Sequence, residues 1–274
     1  MTGDAMQGSP LARTGPWRWA LAGSGVLALL AALAFYLQWP PALSLWPWPG
    51  GRLSNVFIAS ILAAAAVPVL WIGLSAEAAA IAGGALNFAV MYGGLAVLSF
   101  ARLGDSAAPA SLLPFAIACV VLSALCAVLF IRTRRLPFST ARPAPPIVRW
   151  AFAIFVLILV PVGIALLLRA PAVFPWRLSP PESQLFGCVF IGAAFYFGHA
   201  LARPTWKNAQ GPLLGFLAYD AVLIGPFAAH FGKVDPALRL SLIVYTVVLV
   251  LSAVVALHAL VMQRGGSITR RPVT

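Results

Sequence analysis

Charged residues are scarce in this chain, and acidic residues are the scarcest. Asp, Glu, Lys and Arg make up 9% of the 274 residues and hydrophobic types make up 62%, with a mean hydropathy of +0.96. A soluble domain of ordinary composition carries about 25% charged residues. This shortage excludes an ordinary soluble domain and indicates a chain that lies largely within a lipid bilayer.

Cysteines and acidic clusters are also lacking. The three cysteines, Cys119, Cys126 and Cys188, lie inside apolar runs with no C-x-x-C spacing, so we predict no disulfide framework and no zinc site. The six acidic residues are scattered along the chain: Asp4, Glu77, Asp105, Glu182, Asp220 and Asp235. No acidic pair is available to hold Mg²⁺ against a phosphate group. We therefore predict no metal and no cofactor.

The common enzyme signatures are absent as well. The sequence contains no H-E-x-x-H, no G-x-S-x-G, no P-loop and no G-x-G-x-x-G that opens a βαβ unit. We expect the chain not to be an enzyme.

Long apolar runs are what the chain has in abundance. A bilayer core about 30 Å thick is crossed by about 20 helical residues. Eight runs meet this length, at about 18–38, 53–74, 78–101, 110–131, 147–168, 183–203, 212–231 and 237–262. The sequence therefore predicts an all-α polytopic membrane protein with eight transmembrane helices. It leaves open whether the second and third runs are two helices or one hairpin with a broken turn.

The basic residues are distributed unequally between the two sides of this arrangement, although the formal net charge is +12. One side holds twelve of the 18 Lys and Arg residues: Arg13, Arg18, Arg132, Arg134, Arg135, Arg142, Arg149, Arg203, Lys207, Arg264, Arg270 and Arg271. The other side holds Arg52, Arg102, Arg169, Arg177, Lys233 and Arg239. Positive charge favours the cytoplasmic side. We predict that both termini are cytoplasmic, and we interpret the charge as a topology signal and not as a nucleic-acid footprint.

Short matches at a nearly constant offset indicate an internal repeat. A shift of 131 aligns "RWA" at 18–20 with "RWA" at 149–151, and a shift of 133 aligns "VFIAS" at 56–60 with "VFIGA" at 189–193. The sequence therefore predicts two four-helix units, 1–138 and 139–274. Four is an even number, so both units enter from the same side as a parallel 4+4 repeat.

A Pro-Trp loop occurs once in each unit. A shift of 128 aligns Pro47-Trp48 with Pro175-Trp176, before the second helix of each half. Proline suits the turn before a helix, and tryptophan favours the depth of the lipid headgroups. We expect Trp48 and Trp176 to anchor the units at the outer interface, and the alternative is an aromatic lid over a cavity between the halves.

Three stretches carry a resemblance to a known group of proteins. They are "LWPWPGGRLSNVFIAS", "FPWRLSPPESQLFGCVFIGAA" and "LARPTWKNAQGPLLGFLAYDAVLIGPF". These resemble segments of uncharacterised bacterial multi-span membrane proteins, in which a Trp-Pro-Trp-type loop occurs once per half. The chain departs from that pattern at Gly50-Gly51 and at Arg177. The resemblance implies the architecture and a bacterial inner membrane, and it implies no activity.

Asp220 is the most informative polar residue. It lies near the middle of the seventh run, where an ionised carboxylate costs about 2.5–3.5 kcal/mol on insertion scales. Such a group is either a functional hydrogen-bond donor or proton carrier, or a structural partner of Tyr219, Asn87 or a serine of the other half. The shift of 133 places Asn87 opposite Asp220, which predicts a polar centre between the halves.

Two histidines offer a weaker alternative. His199 and His258 lie at a similar depth on the sixth and eighth runs and are candidate ligands for a haem. Histidines satisfied at a helix interface are commoner.

The function that the sequence favours is small-molecule binding or transport between two four-helix repeats in the bacterial inner membrane. Its predicted ligand-binding residues are Asp220, Tyr219, Asn87, Trp48 and Trp176. The alternative is a non-catalytic accessory or scaffold subunit that binds other membrane subunits through small-residue runs such as 61–68 and 81–87. The lipid bilayer is the expected partner in both cases.

Overall fold

A computed structural model describes residues 15–48, 50–105 and 108–265, and within these ranges the chain is helical and contains no β-strand. The α-helices in these ranges are α1 Trp17–Tyr36, α2 Pro40–Ser44, α3 Arg52–Ser75, α4 Ile81–Ala101, α5 Leu112–Thr133, α6 Pro146–Leu167, α7 Pro180–Ala202, α8 Trp206–His230 and α9 Arg239–Gly265. Short 3₁₀ turns at Ala78–Ala80 and Pro236–Leu238 lead into α4 and α9.

Eight of these helices are long and apolar enough to cross a membrane, which confirms the prediction of eight spans. The prediction missed α2, a short helix that Pro40 and Pro41 begin inside the first Pro-Trp loop. It also began the seventh span too late. α8 starts at Trp206 because the Thr205 side chain accepts a hydrogen bond from the Asn208 backbone N–H and caps the helix.

The second and third spans are separate helices joined by a tight turn. α3 ends where Ala76 adopts a left-handed conformation with φ of 56°. The next residue, Glu77, is buried and accepts hydrogen bonds from the backbone N–H and the hydroxyl of Ser139. This turn therefore also fastens the central loop (134–145) to the end of the bundle.

The long helices pair in a regular pattern. α1 packs against α3, α4 against α5, α6 against α7, and α8 against α9. α3 also packs against α8, and α4 against α7, whereas α3 touches α4 only sparsely and α7 touches α8 only sparsely. The four helices α3, α4, α7 and α8 therefore form the centre of the bundle, as two packed pairs with a gap between them.

The two ends of the bundle have different loops. One end, called the Pro-Trp face, carries the loop residues 37–48, 50–51, 102–105, 108–111, 168–179 and 231–238. The other end, called the central-loop face, carries 76–80, 134–145 and 203–205. At the central-loop face the Arg18 guanidinium donates to the carbonyl oxygens of Gly73 and Leu74, so the start of α1 lies beside the end of α3.

Two glycines allow the central pairs to approach closely. A Cβ added at Gly192 of α7 would lie 2.9 Å from the Asn87 carbonyl oxygen of α4, and one added at Gly215 of α8 would lie 3.0 Å from the Ala64 carbonyl oxygen of α3. Small residues at these positions let the helix backbones meet, as is usual between membrane helices. The small-residue runs of α3 and α4 therefore serve contacts within this chain.

Candidate functional site

A cavity of about 460 Å³ occupies the gap between the two central helix pairs. We call it the central cavity. Residues of α3, α4, α6, α7, α8 and α9 line it, together with Val173 of the loop before α7. Binding cavities for small molecules have volumes of about 300–1,000 Å³, so this volume falls within that range.

The central cavity spans most of the depth of the bundle. At the Pro-Trp face it reaches Leu240 and Ser241, the second and third residues of α9. Towards the central-loop face it reaches Ile72, three residues before the end of α3, and Gly84, three residues after the start of α4. The cavity is therefore deep and is not a shallow cleft on one surface.

Two of the predicted site residues, Asn87 and Tyr219, line the central cavity. Asn87 lies on α4 and Tyr219 on α8, so the structure brings them to one space from different halves of the chain. The Asn87 side chain lies against Gly192, where a Cβ would be 2.7 Å from Asn87 Oδ1. The glycine thereby leaves room for the amide.

Tyr219 forms a hydroxyl pair with Tyr245 of α9, with the two oxygen atoms 2.7 Å apart. The Phe57 ring of α3 packs edge-on against both tyrosine rings. One hydroxyl proton joins the two oxygens, and neither hydroxyl has another hydrogen-bond partner among the described residues. The second proton of the pair is therefore free to be donated to a molecule in the cavity.

Asp220 lies behind the cavity wall. Its carboxyl group is buried and accepts from the Ser252 hydroxyl, whose oxygen lies 3.0 Å from Oδ1 and 2.9 Å from Oδ2. Ser252 itself lines the cavity, whereas the described lining residues do not include Asp220. The partner is thus a serine on α9 of the same half, and not Asn87, Tyr219 or a serine of the other half.

The two Pro-Trp tryptophans lie near the Pro-Trp face and are not among the described lining residues of the cavity. Trp48 is 1% exposed, beneath the Arg102 guanidinium at 5.0 Å from the ring centroid and edge-on to Phe115. Trp48 is buried within the protein, so it does not occupy the lipid interface expected of it. Packing by Phe115 of α5 and the end of α4 encloses the ring.

Trp176 connects the two halves at the same face. Its indole N–H donates to the Ser54 hydroxyl over 2.9 Å, and its ring packs against Phe57, Phe174 and Phe227. Phe227 in turn contacts Tyr245. Trp176 therefore supports the wall that carries the tyrosine pair and does not cover an opening.

The structure does not bring the two candidate haem ligands into one site. His199 is buried beside Phe130, and Asn208 Nδ2 lies 3.5 Å from its Nδ1. The His258 side chain is exposed on α9. Within the described ranges, no group of three or more His, Cys, Asp or Glu residues could hold a metal ion.

Sequence reasoning missed four polar residues of the cavity, namely Tyr196, Ser241, Tyr245 and Ser252. A signal for two of them was available, because Tyr245 and Ser252 are seven residues apart and hence share one face of an apolar helix. Recognising their role also requires knowing that α9 faces α8.

Comparison of the chain with known protein families, with curated proteins and with solved structures finds no match. The functional proposal therefore rests on the residues of the site and their positions.

Proposed function

We propose that this chain is a non-enzymatic protein that binds or transports a small molecule in the central cavity, between two four-helix repeats (1–138 and 139–274). The cavity itself is the observation that carries this proposal. Helices of both halves line it, its volume suits a small molecule, and it extends most of the way from one face to the other. Asn87, Tyr219 and Tyr245 supply its polar contacts.

The helix pairing supports the 4+4 repeat. In each half the first long helix packs on the second and the third packs on the fourth. Across the halves, the second helix of each packs on the third helix of the other, as α3 with α8 and α7 with α4. A parallel duplication around a two-fold axis along the membrane normal produces this exchange.

The Pro-Trp loops support the repeat as well. The offset of 128 that places Trp48 on Trp176 also places Ser54 on Glu182. Trp176 donates to Ser54 across the halves, and Gly50, in the first loop, lies against the Glu182 carboxylate of α7. Each loop therefore touches the first turn of the second helix in the opposite half.

The distribution of charge supports a bacterial inner-membrane location with both termini in the cytoplasm. The basic residues of the central loop lie at the central-loop face, together with the starts of α1, α6 and α8. Fewer basic residues lie at the Pro-Trp face. Under the positive-inside rule, the central-loop face is the cytoplasmic face.

An accessory or scaffold subunit is the second candidate, and the environment of Asp220 favours it. The carboxyl group has a hydrogen-bond partner in Ser252 within one half, as a structural residue would. Against this candidate, the small residues of α3, α4 and α7 are used in contacts within the chain.

The test is native mass spectrometry of the protein after gentle extraction at native expression level. We expect a recurrent bound small molecule, which is lost when Ala193→Trp fills the cavity and retained in Ala124→Trp. Ala193 lines the cavity, whereas Ala124 is exposed on the outer surface of α5. A stoichiometric set of other membrane subunits, with no small molecule bound to the wild type, would support the scaffold and refute the binding proposal.

A further inference from the structure

The wall of the central cavity is almost entirely apolar. Ile, Leu, Val, Phe and Ala side chains form most of it, and its polar residues are Asn87, Tyr196, Tyr219, Ser241, Tyr245 and Ser252. Apolar cavities exclude water and take apolar molecules readily. A sugar, an amino acid or an inorganic ion would lose its hydration against this wall without enough polar partners in return. The chemistry of the wall therefore favours a mainly apolar ligand.

The cavity has a side opening between α6 and α9. These helices contact each other only sparsely, although both line the cavity. Leu240 and Val244 of α9 are 72% and 55% exposed, and Ile158 of α6 is 38% exposed, while all three also line the cavity. The same side chains thus face both the interior space and the outer surface of the bundle.

This opening lies at the depth of lipid chains. The α9 lining residues that are not buried run from Leu240 to Val248, which corresponds to about 12 Å at the helical rise of 1.5 Å per residue. That distance is about two fifths of a hydrocarbon core about 30 Å thick. The molecules present at this depth are lipid chains and small apolar compounds dissolved among them.

The dimensions suit a single chain. A volume of about 460 Å³ lies within the range of about 300–1,000 Å³ of cavities that bind small molecules. Tyr219 and Tyr245 provide one free hydroxyl proton on the wall. That proton matches a ligand with a single hydroxyl or carbonyl oxygen.

We propose that the ligand is a single-chain lipid amphiphile, an acyl or isoprenoid chain with one oxygen-bearing end, that enters sideways from the bilayer between α6 and α9. Its chain lies along the apolar wall, and its oxygen accepts a hydrogen bond from the Tyr219–Tyr245 pair. The proposal rests on the binding function proposed above and names the class of molecule and its route.

The test uses two light-activated probes in proteoliposomes of phosphatidylethanolamine and phosphatidylglycerol. One is a sixteen-carbon fatty acid and the other a fifteen-carbon isoprenoid alcohol, each with a diazirine in the chain and an alkyne for detection. We expect at least one probe to label peptides that line the cavity. The probe that labels more strongly identifies the chain as acyl or isoprenoid.

Matched variants on α9 test the route. Val244→Trp places an indole in the opening and should lower labelling of the cavity about five-fold or more. Val250→Trp is the control, because Val250 is exposed on the same helix and is not among the described lining residues. Both positions are on the outer surface, so we expect both variants to fold. Monodisperse elution of each variant in detergent checks this expectation.

Four outcomes would overturn this inference. The first is cavity labelling that Val244→Trp leaves unchanged, and the second is labelling confined to the outer surfaces of α1 and α5. In the third, native mass spectrometry finds a polar molecule without a chain that Ala193→Trp displaces, so the binding function stands while the lipid inference fails. If no molecule is retained and neither probe reaches the cavity, both proposals fail together.

Discussion

Gly192 is the position where one added methyl group should push the two halves apart. A Cβ there would lie 2.7 Å from Asn87 Oδ1, 2.9 Å from the Asn87 carbonyl oxygen and 2.9 Å from Met91 Cβ. The amide side chain can rotate, but the carbonyl belongs to the backbone of α4. The variant Gly192→Ala therefore requires α4 to move relative to α7.

The cost can be separated from the helix propensity of alanine by a control on the same helix. Extra volume in a packed interior costs about 1–3 kcal/mol. Replacing glycine by alanine within a helix gains about 1 kcal/mol. At Gly198 nothing lies within 4 Å of an added Cβ, so Gly198→Ala should gain the propensity term alone. The free energies of unfolding of the two variants should differ by about 1–3 kcal/mol, because the propensity term is common to both.

The assay is equilibrium unfolding in mixed micelles by titration with sodium dodecyl sulfate, followed by loss of helical circular dichroism. We expect Gly192→Ala to unfold at a lower detergent fraction than the wild type and Gly198→Ala at the same or a higher fraction. If the two variants agree within about 0.5 kcal/mol, α4 and α7 are not in the close contact described above, and the reasoning is refuted.

Two further predictions use the same titration. A double-mutant cycle on Asp220→Ala and Ser252→Ala should give a coupling of about 0.6 kcal/mol and up to about 1.7 kcal/mol, the range for hydrogen bonds between membrane helices, whereas zero coupling would contradict the bond between α8 and α9. Trp176→Phe and Ser54→Ala should be coupled by about 1 kcal/mol, since the indole N–H donates to the serine. Trp48→Phe should be uncoupled from Ser54→Ala, because the Trp48 N–H has no hydrogen-bond partner in the described part of the chain. Equal coupling in the two cycles would show that the assignment of the tryptophan partners is wrong.

The eight spans were predictable because hydropathy is a local property. Runs of about 20 apolar residues mark the helices whatever they pack against. The start of α8 was the poorest boundary, since residues 206–211 are too polar to count as part of a span and depend on the Thr205 cap. The short helix α2 was missed because five residues give no periodic signal.

The candidate site was predictable only in part. Asn87 was identified because the offset of 133 places it opposite Asp220, and Tyr219 because it is the neighbour of Asp220 in the chain. The neighbours of Asp220 could not be identified, since they depend on which helices are adjacent and how each is rotated about its axis. Apolar residues lie on all sides of α9, so its hydropathy does not show how the helix is rotated about its axis. The sequence therefore could not predict that Ser252 faces Asp220 and that Tyr245 faces Tyr219. Both tryptophans lie at one end of the bundle, as the repeated loop predicts, but composition alone does not distinguish a buried Trp48 from a lipid-facing one.

The polar groups near the cavity are unequal between the halves, and this inequality bears on the function. At the offset of 133, Tyr219, Tyr245 and Ser252 correspond to Leu86, Leu112 and Cys119. Leu112 and Cys119 are buried on α5, so the first half packs well with apolar residues where the second half has hydroxyl groups.

The fold therefore does not require hydroxyl groups at these positions. The described lining residues of the cavity include none from α1 or α5, the helices that correspond to α6 and α9 under the repeat. Both the polar pair and the side opening thus belong to the second half alone. The proposed ligand site with one entrance needs one polar end and one opening. The asymmetry is what that proposal expects at the α6–α9 side.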